Sequence, residues 1–252
     1  MKKHILTMAF GILIAATAAA QEYKVTKSSG RLEIYEVNDV TIEGTTGNEI
    51  IFTGRSNRDS DDRAKGLRAI SAMGLEDNTG IGLSVIEKGS NIEVRQLKKM
   101  EGPHVTIRVP KGVEVVYTHS SPHGEDLEIK NFDGPVSVNT MHNNVRLTNV
   151  TGAIDIKSVH GDIDASLAPQ KDVHIASVHG HVDVALPVST KAELSLTTQR
   201  GEIFVDPDFK IDIQKVGDML RYDNKVNGKI NGGGLQIQLN AQHDSVYLRK
   251  KV

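Results

Sequence analysis

Four histidines recur along the chain at near-equal spacing. His123, His142, His160 and His179 are separated by 19, 18 and 19 residues. Each precedes a small turn residue: Gly124, Asn143, Gly161 or Gly180. Arg200, before Gly201, holds the next equivalent place, and His243 reprises it in a final unit. A neutral imidazole ring nitrogen is a good ligand for zinc, copper or nickel, so His123, His142, His160 and His179 form a candidate metal site. The competing account is a structural ladder of turn histidines that stack on one another in water. Histidine is enriched among residues with positive φ, and four ligands from one flat ladder converge poorly on a single tetrahedral ion. The ladder is the simpler account. Both predict acid sensitivity, because protonation near pH 6.5 sets like charges about 5 Å apart unless Asp162 and Asp183 compensate.

Other residue patterns supply less. Asp155, Asp162, Asp164 and Asp183 fall at alternate positions facing outward, and paired carboxylates about 5 to 9.5 Å apart serve glycoside hydrolysis. A repeat creates such spacings without chemistry, and a solvated face explains them. Calcium could use Asp133 or Asp155, but no Gly-Gly-x-Gly-x-Asp nonapeptide occurs. Asn231-Gly232-Gly233-Gly234 lacks the Gly-Lys-Ser/Thr of a phosphate loop and reads as a tight turn. No Gly-x-Ser-x-Gly elbow or His-Glu-x-x-His helix is present. With no cysteine there is no disulfide, thiol nucleophile or zinc-thiolate site. No resident cofactor is expected.

The elements that must carry these residues follow a nine-residue beat. Apolar pairs two residues apart recur at Leu127/Ile129, Val136/Val138, Val145/Leu147, Ile154/Ile156 and Ile163/Ala165. They continue more loosely through Val173/Ile175, Val182/Val184, Leu194/Leu196, Ile203/Val205 and Ile237/Leu239 to Val246/Leu248. Alternation rich in Val and Ile predicts short strands, and the Gly and Asn between them predict sharp turns that tolerate positive φ. Ser-Val-His-Gly occurs at 158–161 and again at 177–180, twice the unit length. That favours an all-β fold, a single-stranded β-solenoid or β-helix-like repeat of about 18 residues per coil, over an antiparallel β-meander or sandwich.

The first half, residues 21–112, is less regular but β-rich, with strands at Leu32–Ile34, Val40–Ile42, Ile50–Phe52, Ile92–Val94 and Val105–Val109. Leu67, Ile70 and Met73 at three-residue spacing predict a short amphipathic helix or helical loop within Asp59–Met73. Residues 113–252 carry the repeat, and nothing between the halves resembles a flexible linker. Residues 1–20 have the form of a signal peptide: Lys2 and Lys3, an apolar run from Ile5 to Ala16, then Ala18-Ala19-Ala20. The run is short for a membrane span, and no transmembrane segment is expected after cleavage.

The chain after residue 20 holds 28 basic and 32 acidic residues, a net of −4, which argues against a nucleic-acid partner. Its nine aromatics leave little for stacking platforms. Val109-Pro110-Lys111-Gly112-Val113, the repeated units, Asn231-Gly232-Gly233-Gly234 and the terminal Val246-Tyr247-Leu248-Arg249-Lys250 together resemble the adhesin or "toastrack" domain of unknown function, over roughly residues 30 to 250. The resemblance implies an exported or membrane-tethered β-solenoid of the bacterial envelope, linked to surface attachment or envelope-stress signalling, and brings no enzymatic residues. Family members usually carry Asn before the turn glycine, where this chain has His. The expectation is a non-enzymatic protein of the periplasm or cell surface, whose repeat face meets a protein or glycan of the cell envelope. A polysaccharide-active β-helix enzyme and a periplasmic metal-binding protein are the alternatives.

Overall fold

The computed structural model describes residues 21–54, 62–64, 66–214 and 224–251; the expected signal peptide lies outside them. The strands, in chain order, are β1 (Gln21–Thr26), β2 (Gly30–Tyr35), β3 (Asp39–Thr45), β4 (Glu49–Gly54), β5 (Leu83–Lys88), β6 (Asn91–Gln96) and β7 (His104–Pro110). There follow β8 (Val113–His119), β9 (Asp126–Lys130), β10 (Val136–Thr140), β11 (Asn144–Val150), β12 (Ile154–Ser158), β13 (Ile163–Leu167) and β14 (Val173–Ser177). The last are β15 (Val182–Leu186), β16 (Ala192–Thr198), β17 (Ile203–Val205), β18 (Asp212–Ile213), β19 (Asn224–Ile230), β20 (Leu235–Ala241) and β21 (Val246–Lys250).

These strands make two sheets. Sheet A runs β1-β4-β7-β3-β9-β11-β13-β15-β21-β17, and sheet B runs β18-β19-β16-β20-β14-β12-β10-β8-β2-β6-β5. Each coil gives one strand to each sheet, and neighbouring coils pair in parallel. Val136 faces Ile154, which faces Val173, and Val145 faces Ile163, which faces Val182, offsets of one coil. The solenoid is therefore the fold and the meander is not. The physical reason lies in the corners, which turn each strand into the other sheet rather than back beside itself.

The less regular first half enters the same stack. Leu32 and Ile34 of β2 pair with Val115 and Tyr117 of β8, and Val40 and Ile42 of β3 pair with Leu127 and Ile129 of β9. Inward positions are Val, Ile or Leu along almost every strand and are buried between the sheets. Burying one such side chain contributes about 1.5–3 kcal/mol. Branched side chains suit this pleated surface, and flat pairing in register keeps all of them on the inner side.

Chain order and stacking order differ at both ends. β6/β7 stacks outside β2/β3, and the last coil, β20/β21, is inserted between β14/β15 and β16/β17. Antiparallel strands close the stack: β4 on β7 with β1 on β4, β5 on β6, and β19 on β16 with β18 on β19.

The helix expected within Asp59–Met73 does not form over its described part. Asp62–Ala64 is a single 3-10 turn, and Ile70 bridges Glu76 in extended pairing. Leu67, Ile70 and Met73 are 71%, 61% and 68% exposed, so their spacing marks no buried stripe. The segment is held instead from its far end, where the Asp77 carboxylate accepts N–H bonds from Thr79, Gly80 and Gly82 at 2.8–3.0 Å.

Candidate functional site

At the corner leaving sheet B, a four-residue pattern repeats. An inward hydroxyl ends the strand, and its oxygen accepts the N–H of the small residue three positions on. Ser158 Oγ takes Gly161 N–H at 2.9 Å, Ser177 Oγ takes Gly180 N–H at 3.0 Å, and Thr198 Oγ1 takes Gly201 N–H at 2.9 Å. Thr140 Oγ1 does the same for Asn143 at 3.3 Å. The third residue of each corner then points outward, and that residue is His142, His160, His179 or Arg200.

The turn glycines serve a purpose other than the expected one. Positive φ falls at Glu36, Asn131, Asn149 and Asn231 and at nine other glycines, but not at Gly161, Gly180 or the column histidines. A Cβ on Gly161 would stand 1.8 Å from the Asn143 carbonyl oxygen of the coil below. Glycine is needed because the stacked corners approach too closely for a side chain.

Stacking brings together His142, His160, His179 and His243. Ring centroids are 4.9 Å apart for His142–His160, with planes at 21°, and 4.7 Å for His160–His179, at 6°. His179 and His243 are 4.7 Å apart and tilted by 36°. His243 joins because the last coil is inserted beside β14/β15. The His179 pKa is lowered, first by desolvation and then by His160, His243 and Arg200.

Of the four histidines singled out in the sequence, His123 is not in this column. The corner from His119 to Asp126 is longer than the three-residue corner from Thr140 to Asn144. His123 makes no ring contact among the described residues, and its N–H donates to Ser121 Oγ at 3.2 Å. Among the described residues, no three His, Cys, Asp or Glu side chains gather where one ion could be held.

Beneath the first corners lies a buried polar network that the repeat reading missed. His119, 1% exposed, meets Asn38 Oδ1 through Nε2 at 3.0 Å. Asn143 Nδ2 donates to Asn38 O at 3.0 Å and Tyr117 Oη at 2.9 Å, and Tyr117 donates to Val37 O at 2.7 Å. Burial pushes His119 below the ordinary histidine range, with Glu36 opposing and His142 and His123 adding to the shift. Strand alternation through Tyr117-Thr118-His119 was the available signal, since it points the imidazole inward.

The outward face of sheet A carries a second cluster. His181 lies 3.1 Å from Asp162 through Nδ1 and 3.0 Å from Asp164 through Nε2. Burial lowers its pKa, but the Asp164 hydrogen bond and the charges of Asp162, Asp164 and Asp183 outweigh this, leaving it raised. Arg249 grips Asp183 at 2.6 Å and lies 5.2 Å from the Tyr247 ring. Tyr247 stacks on Phe204 at 5.1 Å, and Phe204 is 46% exposed on β17, the last strand of the sheet. Asp155 stands apart on sheet B, 3.4 Å from Lys157. The expected compensation of the histidine column by Asp162 and Asp183 is therefore absent, because both carboxylates are engaged on sheet A.

Residues 125–249 match the family model of the Toastrack domain DUF4097, so the resemblance read in the sequence holds over that stretch. The coils built from β2, β3, β6 and β7 precede the match. No curated protein matches the chain. It is similar in structure to a proposed cell adhesion protein of Clostridium sporogenes, at 12% identity and a TM-score of 0.47, covering 92% of this chain and all of that one. A proposed adhesin of Bacteroides fragilis gives 10% identity and a TM-score of 0.34, covering 93% of this chain and 98% of that one. Among the described residues no helix is long and apolar enough to cross a membrane.

Proposed function

We propose that this protein is exported to the periplasm or cell surface and acts without catalysis, binding a protein or glycan of the cell envelope through the outer face of sheet A, as an adhesin or an envelope-stress scaffold. The observation that carries this reading is the row Asp183, Tyr247 and Phe204 with Arg249 beside it. Register sets Asp183 opposite Tyr247 and Tyr247 opposite Phe204 on adjoining strands. Aromatic rings, a guanidinium and a carboxylate on one rigid surface are the groups that dominate recognition energetics. The Toastrack match supports the reading, since the resemblance to that domain brings no enzymatic residues to carry over to this chain. The leader-like residues 1–20 support export.

The test is retention of the purified protein on panels of envelope glycans and envelope proteins. Phe204→Ala with Tyr247→Ala should weaken retention by about tenfold or more while the thermal transition stays cooperative. Retention unchanged by that pair would remove the proposed face, and release of a cleaved glycan would favour the polysaccharide-active alternative.

A further inference from the structure

The histidine column is distinct from the sheet A face and calls for its own account. Four outward imidazoles in register could be a by-product of a repeated turn. Their surroundings argue for more. His104, His119 and His181 each have a carboxylate or amide partner. The rings of His142, His160, His179 and His243 have no hydrogen-bond or ion-pair partner among the described residues, and touch only one another. His142 Nδ1 is buried and unpaired. That leaves Nε2 as the nitrogen His142 can offer a ligand, while no other ring nitrogen of the column is both buried and unpaired.

We propose that this column binds divalent late transition-metal ions in pairs of neighbouring imidazoles, His142 with His160 and His179 with His243. One ion gathering all four is excluded by the ladder geometry, since the outer rings are three stacking steps apart. A pair is different. Metal–nitrogen bonds of about 2.0–2.1 Å need two nitrogens roughly 3–4 Å apart. Centroids at 4.7–4.9 Å come within that range when one ring turns about its Cβ–Cγ bond. His243 and His179 already depart from parallel by 36°. Water completes each coordination shell. Two imidazoles with water suit copper(II) best, then nickel(II) and zinc(II), and the absence of thiolate fits that order. The backbone beneath is stiff, because each of the His142, His160 and His179 corners is tied by its hydroxyl to the next N–H. Little ordering is therefore lost on binding.

The probe is copper(II), titrated into the purified protein at neutral pH and followed by calorimetry and electron paramagnetic resonance. The expected result is about two ions per chain, each with nitrogen hyperfine structure from two imidazoles. His160→Asn with His179→Asn breaks both pairs while keeping a turn-compatible side chain, and should lower affinity at least about tenfold. His174→Ala, an exposed change elsewhere on sheet B, should leave binding unaltered. Circular dichroism of the double variant confirms that its fold is kept. If it unfolds, His243→Asn alone should remove one ion of the two. No binding, binding insensitive to these changes, or a single ion with four nitrogens would each overturn the proposal. None of these results bears on glycan or protein retention by Phe204 and Tyr247.

Discussion

Gly161 is the residue at which the repeat is least tolerant. An added Cβ would stand 1.8 Å from Asn143 O and 2.6 Å from its carbonyl carbon, both backbone atoms of a neighbouring coil. Neither can move without prising neighbouring coils apart. Gly161→Ala should therefore destabilise the protein by about 2–4 kcal/mol, seen as a lower midpoint in urea with an unchanged slope. Gly89, with open space around it, is the matching position where the same change meets only its own backbone preference. An equal loss at both would show that stacking distance is not the cause. The repeated Ser-Val-His-Gly makes this corner visible in the sequence, but not the division of labour within it. The pattern by itself points to chemistry at histidine and positive φ at glycine. The fold gives the locking bond to serine and uses the glycine for close approach. Such an approach comes from a residue 18 positions away and leaves no local mark.

At the scale of elements, the nine-residue beat made the strands and their parallel stacking readable from Leu127 onward, because alternation fixes which side chains face inward. The order of the coils was not readable. Every unit presents a similar pair of apolar side chains, so any unit fits any slot, and pairing by pattern alone places the last unit at the end. The structure instead inserts β21 between β15 and β17, and β20 between β14 and β16. Specific ties select this slot: Thr198 Oγ1 donates to Asp244 O at 2.8 Å, and Asn231 Nδ2 donates to the Val188 and Thr190 carbonyls at 2.8 and 2.7 Å. A chain ending at Asp244 thus loses an interior strand, leaving β17 without its neighbour and β15 with a bare edge. It should fail to give a cooperative melt and should aggregate, whereas removal of Gln21–Thr26, an edge strand, should leave a folded protein with a lower midpoint. Equal tolerance of the two deletions would contradict the interleaved order. The missed helix has a similar origin: three-residue spacing of Leu67, Ile70 and Met73 implies a buried face only where a partner surface exists, and none among the described residues covers them.

For the molecule as a whole, stability should fall with acid in a window set by histidines before the carboxylates titrate. His119 and His179 have lowered folded-state pKa values. The unfolded chain takes up their protons first, so the stability they permit is complete above the unfolded value of about 6.5 and is lost as pH falls below it. His181 has the opposite sign. Its raised pKa contributes stability that is complete below about pH 6.5 and lost as pH rises through the folded value. Glu36, Glu93 and Glu193 have lowered values, so their contributions fade only as pH falls below the ordinary carboxylate range. Between pH 6.5 and 5 the fall therefore rests on His179 and the buried His119, since the His181 contribution is already complete there. Around the column, Arg200 adds a further positive charge, while Asp162 and Asp183 of sheet A are held by His181 and Arg249. The midpoint in urea should drop across that window. His179→Asn should make the drop shallower by removing one of the two groups with a lowered value, whereas His181→Gln should abolish the gain in stability from pH 8 down to 6.5 and lower the curve by a constant amount below it. A midpoint that stays level from pH 6.5 to 5, or a His179→Asn curve shifted without a change of slope in that window, would show that the stacked imidazoles do not couple to folding.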